Sequence, residues 1–428
     1  MPARRPARTE VLTVVPPDPR RHGEALFDLI GKVFSGDGYY AARDRCRRGY
    51  ILRSHYDWQA SRVGLLGDRL VTHFGVWDLT MRIGAARVRL GGIGGVATDG
   101  DCRKRGYMAR TARASVEAMR DAGYDLSLLF GISDFYHRFG YVRGWSDGHW
   151  AVSLGHLPTE RPARPVRTFT PRPRDDLARL YNRENATRTG TAVRPTFTHL
   201  MWPHPWQGRL WLDARGRPAG YVTFDVREGR LNCCEACGDP EQALRVLARL
   251  ARQRGCSEVR FEGMHAESPI IRRIRWGTCR TETYHVHRGG AMIALLNLAA
   301  TLEKMRPVLA DRLRRSPLAA WRGRLVVADA RGPATLAIDR ACVRVGGGVG
   351  STARSESVRV RHHGVRVRKE DGRQGAGVAG DAHACGLEDL GRVVGADEQL
   401  GDAVAAADGV PRPAALLHPH AGAVDGQR

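Results

Sequence analysis

A basic turn between a strand-like run and a helix carries the residues of this chain that are best suited to chemistry. The strand ends at Val96-Ala97-Thr98, and the turn Arg103-Lys104-Arg105-Gly106-Tyr107-Met108 opens an amphipathic helix. A helix amino terminus offers unpaired N–H groups and the positive end of the helix dipole, so it can hold a phosphate. Basic residues at that end oppose the dipole unless an anion lies there. The turn therefore predicts a pyrophosphate cradle, the alternative being solvated basic surface.

A tyrosine follows one strand after this helix. The pattern predicts a helix over Lys104–Ala122 and then a short buried strand over Tyr124–Phe130. Tyr136 lies just beyond, in Phe135-Tyr136-His137-Arg138-Phe139-Gly140-Tyr141. A phenol, with an unperturbed pKa of about 10, stays protonated near neutral pH and can donate a proton. Tyr136 is thus a candidate general acid, or alternatively an aromatic side chain packed in a core.

Both motifs resemble those of the GCN5-related N-acetyltransferase (GNAT) superfamily. Arg103-x-x-Gly106-x-Met108 after a strand is similar to the acetyl-CoA signature Gln/Arg-x-x-Gly-x-Gly/Ala, from which Met108 departs at the last position. The enhanced intracellular survival (Eis) branch has an apolar residue there. That branch also carries Tyr-x-Arg-Phe-Gly-Tyr, which Tyr136–Tyr141 matches. The resemblance is therefore to the Eis-like branch.

The resemblance implies an N-acetyltransferase with acetyl-CoA as co-substrate and no metal. The backbone of Val96, Ala97 and Thr98 would contact the pantetheine arm, and Tyr136 would protonate the departing thiolate. The pyrophosphate would bind to Arg103, Lys104, Arg105, Gly106, Tyr107 and Met108. The acceptor would be an amine, either an aminoglycoside or polyamine-like small molecule or a protein lysine. The alternative function is an acyl-CoA-binding regulatory protein that lacks turnover.

A cationic acceptor would favour an acidic cleft. Asp37, in the loop after the first predicted helix, is the candidate for substrate contact, with Tyr39 or Trp58 as a wall of the cleft. Acidic loop residues are more often plain solvated surface, which is the alternative interpretation of Asp37.

The elements around these motifs predict an α/β fold with a mixed sheet. Apolar spacing predicts a helix over His22–Phe34, and strand patterns cover Arg62–Leu66, Leu70–Ile83 and the run from Ala86 to Val96. Strand, helix and strand in this order imply parallel pairing. The glycines of Gly91–Gly95 lie inside a strand, which predicts a bulge or a close approach rather than a dinucleotide fingerprint.

The rest of the chain predicts further domains. Residues 1–160 form the catalytic domain, and Pro162–Pro173 reads as a linker. Residues 161–288 repeat the order of elements without the basic turn, which predicts a second, degenerate GNAT-like domain. Residues 289–345, with a helix over Met292–Arg315, resemble the start of a sterol-carrier-like domain.

The chain changes character at Gly346. From there to Arg428 it contains no Phe, Trp, Tyr, Ile or Met, so it offers little apolar surface to offset the entropy of ordering. Residues 346–428 are either a disordered tail or the product of a shifted reading frame, and the simultaneous loss of these residue types favours the second. In the resembling family the carboxyl terminus is thought to supply the general base, a role that cannot be transferred to Arg428.

The composition of the chain limits which binding partners and which cellular compartment we expect. The formal net charge is +23, and arginine carries nearly all of it. The arginines are scattered, so we expect no nucleic-acid partner. We also expect a cytoplasmic protein with no membrane contact. The nine cysteines suit reduced thiols; Cys233, Cys234 and Cys237 are more consistent with buried thiols than with half a zinc site. The resemblance implies a homo-oligomer, a hexamer.

Overall fold

The computed structural model has a mixed α/β architecture, and the residues that it describes form three β-sheets. The described residues are 11–36, 38–51, 54–170, 175–197, 207–329, 331–347 and 366–370. The predicted α/β class with mixed sheets is confirmed.

The amino-terminal part supplies most of the first sheet. Its strands are β1 (Leu12–Val15), β2 (Arg62–Leu66), β3 (Arg69–Ile83), β4 (Ala86–Thr98), β5 (Leu126–Gly131) and β6 (Val142–Arg143). Its helices are α1 (Pro19–Val33), α2 (Tyr39–Arg45) and α3 (Tyr107–Asp121), with a π-helical segment at Cys46–Ile51. The Asp18 side chain caps α1 by accepting hydrogen bonds from the N–H groups of Arg20 and Arg21. The apolar face of α1 is buried, as its spacing predicts.

Helix α3 connects two parallel strands. β4 and β5 pair in parallel from Leu90 to Gly92, which confirms the predicted crossover. The helix begins at Tyr107 rather than at Lys104, because Lys104 and Gly106 both have positive φ angles, 60° and 77°. It ends before Gly123, whose φ is +76°.

The second sheet repeats much of this order. Its strands are β7 (Asp147–Ser153), β8 (Val166–Phe169), β9 (Gln207–Leu212), β10 (Pro218–Arg227), β11 (Arg230–Cys237), β12 (Glu258–Glu262) and β13 (Arg280–Tyr284). Its helices are α4 (Asp175–Glu184), α5 (Pro240–Gln253) and α6 (Pro269–Arg275). The sheet order is β13-β7-β12-β11-β10-β9-β8. The predicted linker Pro162–Pro173 is therefore wrong at its centre: β8 pairs with β9 as an edge strand, a position that tolerates flanking prolines.

The two sheets do not follow the predicted domain boundaries. Strand β14 (Gly290–Leu295) returns to the first sheet and lies between β5 and β6, whereas β7 already belongs to the second sheet. The predicted helix Met292–Arg315 is wrong at its start, because α7 (Leu298–Arg314) begins only after Asn297. A short apolar run suits a central strand as well as a helix, and the pattern alone does not distinguish them.

The third sheet packs against α7. Its strands are β15 (Arg322–Ala328), β16 (Pro333–Asp339), β17 (Cys342–Gly347) and β18 (Arg366–Glu370), in the order β17-β16-β15-β18. The segment predicted to be a disordered tail or a frame-shifted product begins at Gly346, so it includes the end of β17 and all of β18. The pairing of β18 with β15 contradicts disorder for Arg366–Glu370. The remainder of that tail, including Arg428, lies outside the described residues. Among the helices that are described, none has the length and hydropathy needed to cross a membrane.

Helix α7 docks on the first sheet through a buried carboxylate. Asp125, just before β5, has a fully buried side chain, and its Oδ2 accepts from Lys304 Nζ at 2.5 Å and from the Arg89 N–H at 2.6 Å. The Asp125 carbonyl accepts from the Leu296 N–H at 2.9 Å. Because Lys304 belongs to α7, this ion pair joins the third sheet's helix to the turn between α3 and β5.

We expect Lys304→Met to destabilise the protein by about 2 kcal/mol, at the low end for a broken buried ion pair because Lys304 is itself partly exposed. The substitution leaves the Asp125 carboxylate buried without its cation. Urea unfolding measures the loss, and Lys32→Met, at an exposed lysine of α1, is the control. Equal midpoints for the two variants would show that the pair contributes nothing.

Candidate active site

A β-bulge interrupts the pairing of β4 with its antiparallel neighbour β3. In the pairing of β3 with β4, Gly75 lies opposite Gly94 and His73 opposite Ala97, so Gly95 and Val96 share one partner position. Gly95 has a φ of +57°, which favours glycine, and the bulge predicted within Gly91–Gly95 is thus confirmed. Beyond Gly92 the described residues of β4 form no ladder pairs with β5, although β4 continues to Thr98. The ladder therefore ends before the carboxyl ends of the two strands, and the backbone of β4 beyond Gly92 is not paired with β5.

The basic turn lies at the end of β4 and opens α3. Gly106 is the N-cap residue, and no side chain caps this helix amino terminus. The backbone N–H groups of Lys104, Arg105 and Gly106 have no hydrogen-bond partner among the described residues. These unpaired donors point to an anion site, since helix amino termini bind phosphates through such groups.

The side chains of the turn are also available for an anion. Arg103, Lys104 and Arg105 are exposed, and within the described ranges none of them forms an ion pair. The nearby acid Asp99 is instead bound to Arg69, with 2.8 Å between Arg69 Nη2 and Asp99 Oδ1. Asp101 also lies 3.7 Å from Arg69 Nη2, so both nearby acids pair with Arg69 rather than with the turn, whose three basic side chains have no ion-pair partner among the described residues.

The predicted pantetheine segment presents its side chains to opposite faces of the sheet. Val96 packs on the α3 side, in the cluster that contains Met108 and Tyr136, and Ala97 packs on the α1 side. Met108 is 9% exposed and its side chain lies in that core cluster. A bulky residue therefore fits at this position of the turn, because its side chain is buried in the core cluster.

Tyr136 lies at the start of a 3-10 helix, Tyr136–Phe139, that follows β5. Its ring packs edge to face against Phe135, with 4.9 Å between ring centroids. Gly131 makes room for this ring, since a Cβ there would lie 2.7 Å from Tyr136 Cδ2 and 2.9 Å from Met292 Sδ. Burial raises the pKa of Tyr136 above its usual value. Its hydroxyl therefore stays protonated, and it has no hydrogen-bond partner within the described part of the chain.

The residues that hold Tyr136 include one that sequence reasoning missed. Met292, on β14, is 1% exposed and packs in the same cluster as Tyr136. Its segment was predicted to be helical, and only the pairing of β14 with β5 brings it to the site. A second missed residue, His73, is fully buried beside the bulge; the glycines around it were the available signal.

Of the three residues predicted to contact the acceptor amine, the structure describes two, Tyr39 and Trp58. Asp37 lies outside the described residues. Tyr39 is half-buried, and its hydroxyl donates to Asp28 Oδ1 at 2.7 Å, so it joins α2 to α1. Trp58 packs edge to face on Tyr56, with 4.8 Å between centroids. These contacts give Tyr39 and Trp58 packing roles that are compatible with lining a cleft.

The matching position of the second sheet is filled by the chain itself. β11 and β12 pair in parallel as far as Cys233 and then part, as β4 and β5 do. Here the Glu184 carboxylate accepts the Gly238 N–H at 2.6 Å, and Asp239 caps α5. The remaining cavity is small, about 30 Å³.

The cysteine cluster lies beside this filled position. Cys233 and Cys237 are buried free thiols, and burial raises the pKa of each. Among the described residues no group of three or more His, Cys, Asp or Glu side chains is arranged to hold a metal ion.

Comparison with known proteins agrees with this geometry. Residues 22–144 match the family model of the acetyltransferase (GNAT) domain, whose members use acetyl-CoA as co-substrate. No curated protein matches the chain.

Solved structures share the fold. A probable N-acyltransferase from Enterococcus faecalis V583 is similar with a TM-score of 0.59 at 15% identity, over 79% of this chain and 85% of that one. A GCN5-related N-acetyltransferase from Anabaena variabilis has a TM-score of 0.60 at 13% identity, over 79% and 86%. Eis1 from Mycobacterium abscessus has a TM-score of 0.51 at 14% identity, also over 79% and 86%.

The matched domain contains the bulged strand, the basic turn and Tyr136. The chain therefore carries a domain of the GNAT superfamily and is an N-acetyltransferase.

Proposed function

We propose that the protein transfers the acetyl group of acetyl-CoA to an amine in the cleft between β4 and β5, with Tyr136 as general acid. The observation that carries this proposal is the protonated, unpartnered hydroxyl of Tyr136 in the cluster that also holds Val96 and Met108. The backbone of Val96, Ala97 and Thr98 would bind the pantetheine arm. The turn from Arg103 to Met108, with its free N–H groups and uncompensated charge, would bind the pyrophosphate.

In the proposed reaction the free amine attacks the thioester carbonyl carbon and forms the new C–N bond. The C–S bond then breaks, and the departing sulfur takes the proton of the Tyr136 hydroxyl. The amine loses its proton to solvent, and Tyr136 regains one from solvent, so a thiol and an amide are formed. The Tyr136 hydroxyl carries its proton throughout the neutral range, as a general acid must, because burial raises its pKa above the usual value.

We extend the proposal to the second sheet and to the acceptor. The second sheet with α5 would be a degenerate GNAT-like domain, supported by its matching strand order and by the carboxylate of Glu184 where a phosphate would lie. The acceptor would be an aminoglycoside or polyamine-like amine or a protein lysine, and the protein an Eis-like cytoplasmic homo-oligomer. A thiol-release assay with acetyl-CoA and a panel of such amines tests the acceptor class.

We expect Tyr136→Phe to lower kcat by about 10²-fold, the size of a lost general acid, with little change in acetyl-CoA affinity. The matched control is Tyr141→Phe, a buried tyrosine of the same cluster whose hydroxyl bonds to Ser127 at 2.7 Å. The control should lose stability but keep kcat.

The pH dependence of kcat also tests the role of Tyr136. Since burial raises the pKa of Tyr136, kcat should not fall through its ionisation below a pH of about 10. A Tyr136→Phe variant that keeps the parent kcat would rule out the general-acid role.

We expect Gly106→Ala to weaken acetyl-CoA binding by about tenfold, because the left-handed φ of this residue disfavours Cβ and the N–H groups would turn from the ligand. Gly123→Ala is the matched control. Both glycines have positive φ, at 77° and 76°, and open space around the Cβ position, but Gly123 ends the same helix at the opposite pole. Titration calorimetry with acetyl-CoA should show parent-like affinity for Gly123→Ala, and equal losses in both variants would contradict the cradle.

A further inference from the structure

His73 occupies the space that the bulge of β4 creates. It lies on β3 and is fully buried. Two glycines make room for its imidazole: a Cβ at Gly75 would lie 2.7 Å from His73 Cε1, and one at Gly95 would lie 3.2 Å from it. The imidazole is therefore packed into the bulge itself.

Both ring nitrogens of His73 have partners. Nδ1 lies 2.7 Å from the Gly95 carbonyl oxygen, and Nε2 lies 2.8 Å from the Tyr56 hydroxyl. A carbonyl oxygen only accepts, so Nδ1 carries the proton and donates to it. Burial lowers the pKa of His73 to about 4, so the ring is neutral near pH 7 and Nε2 accepts from Tyr56.

The Gly95 carbonyl needs such a donor. A bulge leaves its extra residue outside the ladder, and a buried carbonyl without a partner costs about 1–3 kcal/mol. By fixing this carbonyl, the imidazole also fixes the peptide unit that leads into Val96. That peptide determines how the backbone of Val96, Ala97 and Thr98 faces the cleft.

We propose that His73 is a positioning residue for acetyl-CoA, holding the bulge of β4 in the conformation that binds the pantetheine arm. This inference rests on the proposed function, which assigns that arm to Val96–Thr98. His73 is not itself the general base, since its ring is fully buried and both nitrogens are occupied. Tyr56 contributes indirectly, because its hydroxyl donates to Nε2 and so helps to hold the ring in the orientation in which Nδ1–H bonds to the Gly95 carbonyl.

Three variants separate the contributions of the two hydrogen bonds. His73→Phe keeps a ring but removes both, and we expect the Kd of acetyl-CoA to rise about tenfold or more. His73→Asn retains a donor at the position of Nδ1 and should stay within about threefold of the parent. Tyr56→Phe removes the hydrogen bond to Nε2 and leaves the bond from Nδ1 to Gly95, so its Kd should lie between these two.

The control for general destabilisation is His265→Phe in the second sheet's part of the chain. His265 is also buried, at 7% exposure, and its Nδ1 accepts from the Glu267 N–H at 2.9 Å. This variant should lose stability in urea yet bind acetyl-CoA with the parent affinity. A merely structural role for His73 would make His73→Phe behave in the same way.

The measurements are calorimetric titration of the full chain with acetyl-CoA and hydrogen exchange of the peptide that spans β4. His73→Phe should accelerate exchange around Gly95–Thr98, and His73→Asn should restore protection. If the parent binds acetyl-CoA and His73→Phe binds equally well, the positioning role is overturned while the proposed function stands. If the parent itself does not bind acetyl-CoA, both are overturned.

Discussion

The incomplete pairing of β4 with β5 is the constraint on which the rest of the site depends. Two parallel strands that paired along their full length would satisfy each other's backbone groups and leave no cleft. Here the ladder stops at Gly92, and the bulge at Gly95 turns β4 away. The backbone of Val96–Thr98 is left for a ligand, and α3 begins where β4 ends. A single interruption of the sheet thus leaves the backbone of Val96–Thr98 unpaired with β5 and precedes the turn that we propose as the anion site.

The cleft is built by parts of the chain that lie far apart in sequence. β14 pairs with β5 on the side away from the cleft, and its Met292 packs beside Tyr136. α7 then anchors the turn before β5 through Lys304 and Asp125. Because β5 leads directly to Tyr136, these later elements hold the strand that carries the proposed acid. The exchange of β7 and β14 between the sheets explains why the catalytic part of the chain does not end at a simple boundary.

Local patterns predicted much of this arrangement, and long-range pairing accounts for what they missed. The spacing around α1, the β4–α3–β5 crossover and the glycine bulge are properties of short segments, so the sequence contained them. Met292–Leu295 forms a strand because it pairs between β5 and β6. The periodicity of a short apolar run does not predict such a long-range pairing. His73 was missed for a similar reason: a lone histidine in a strand has no motif, and its role follows from the two glycines that surround it only after folding.

The parallel pairs β4–β5 and β11–β12 differ in which groups bind the backbone N–H groups of the turn that follows the first strand of each pair. In the first sheet the N–H groups of Lys104, Arg105 and Gly106 have no hydrogen-bond partner among the residues that the structure describes, and the basic side chains beside them form no ion pair within those residues. In the second, the Glu184 carboxylate already accepts from Gly238, and Asp239 caps α5. Each carboxylate supplies the negative charge that a helix amino terminus favours. Within the described residues, the same topology therefore gives a turn with unpaired N–H groups, our proposed anion site, in the first sheet and a turn bound by its own carboxylates in the second.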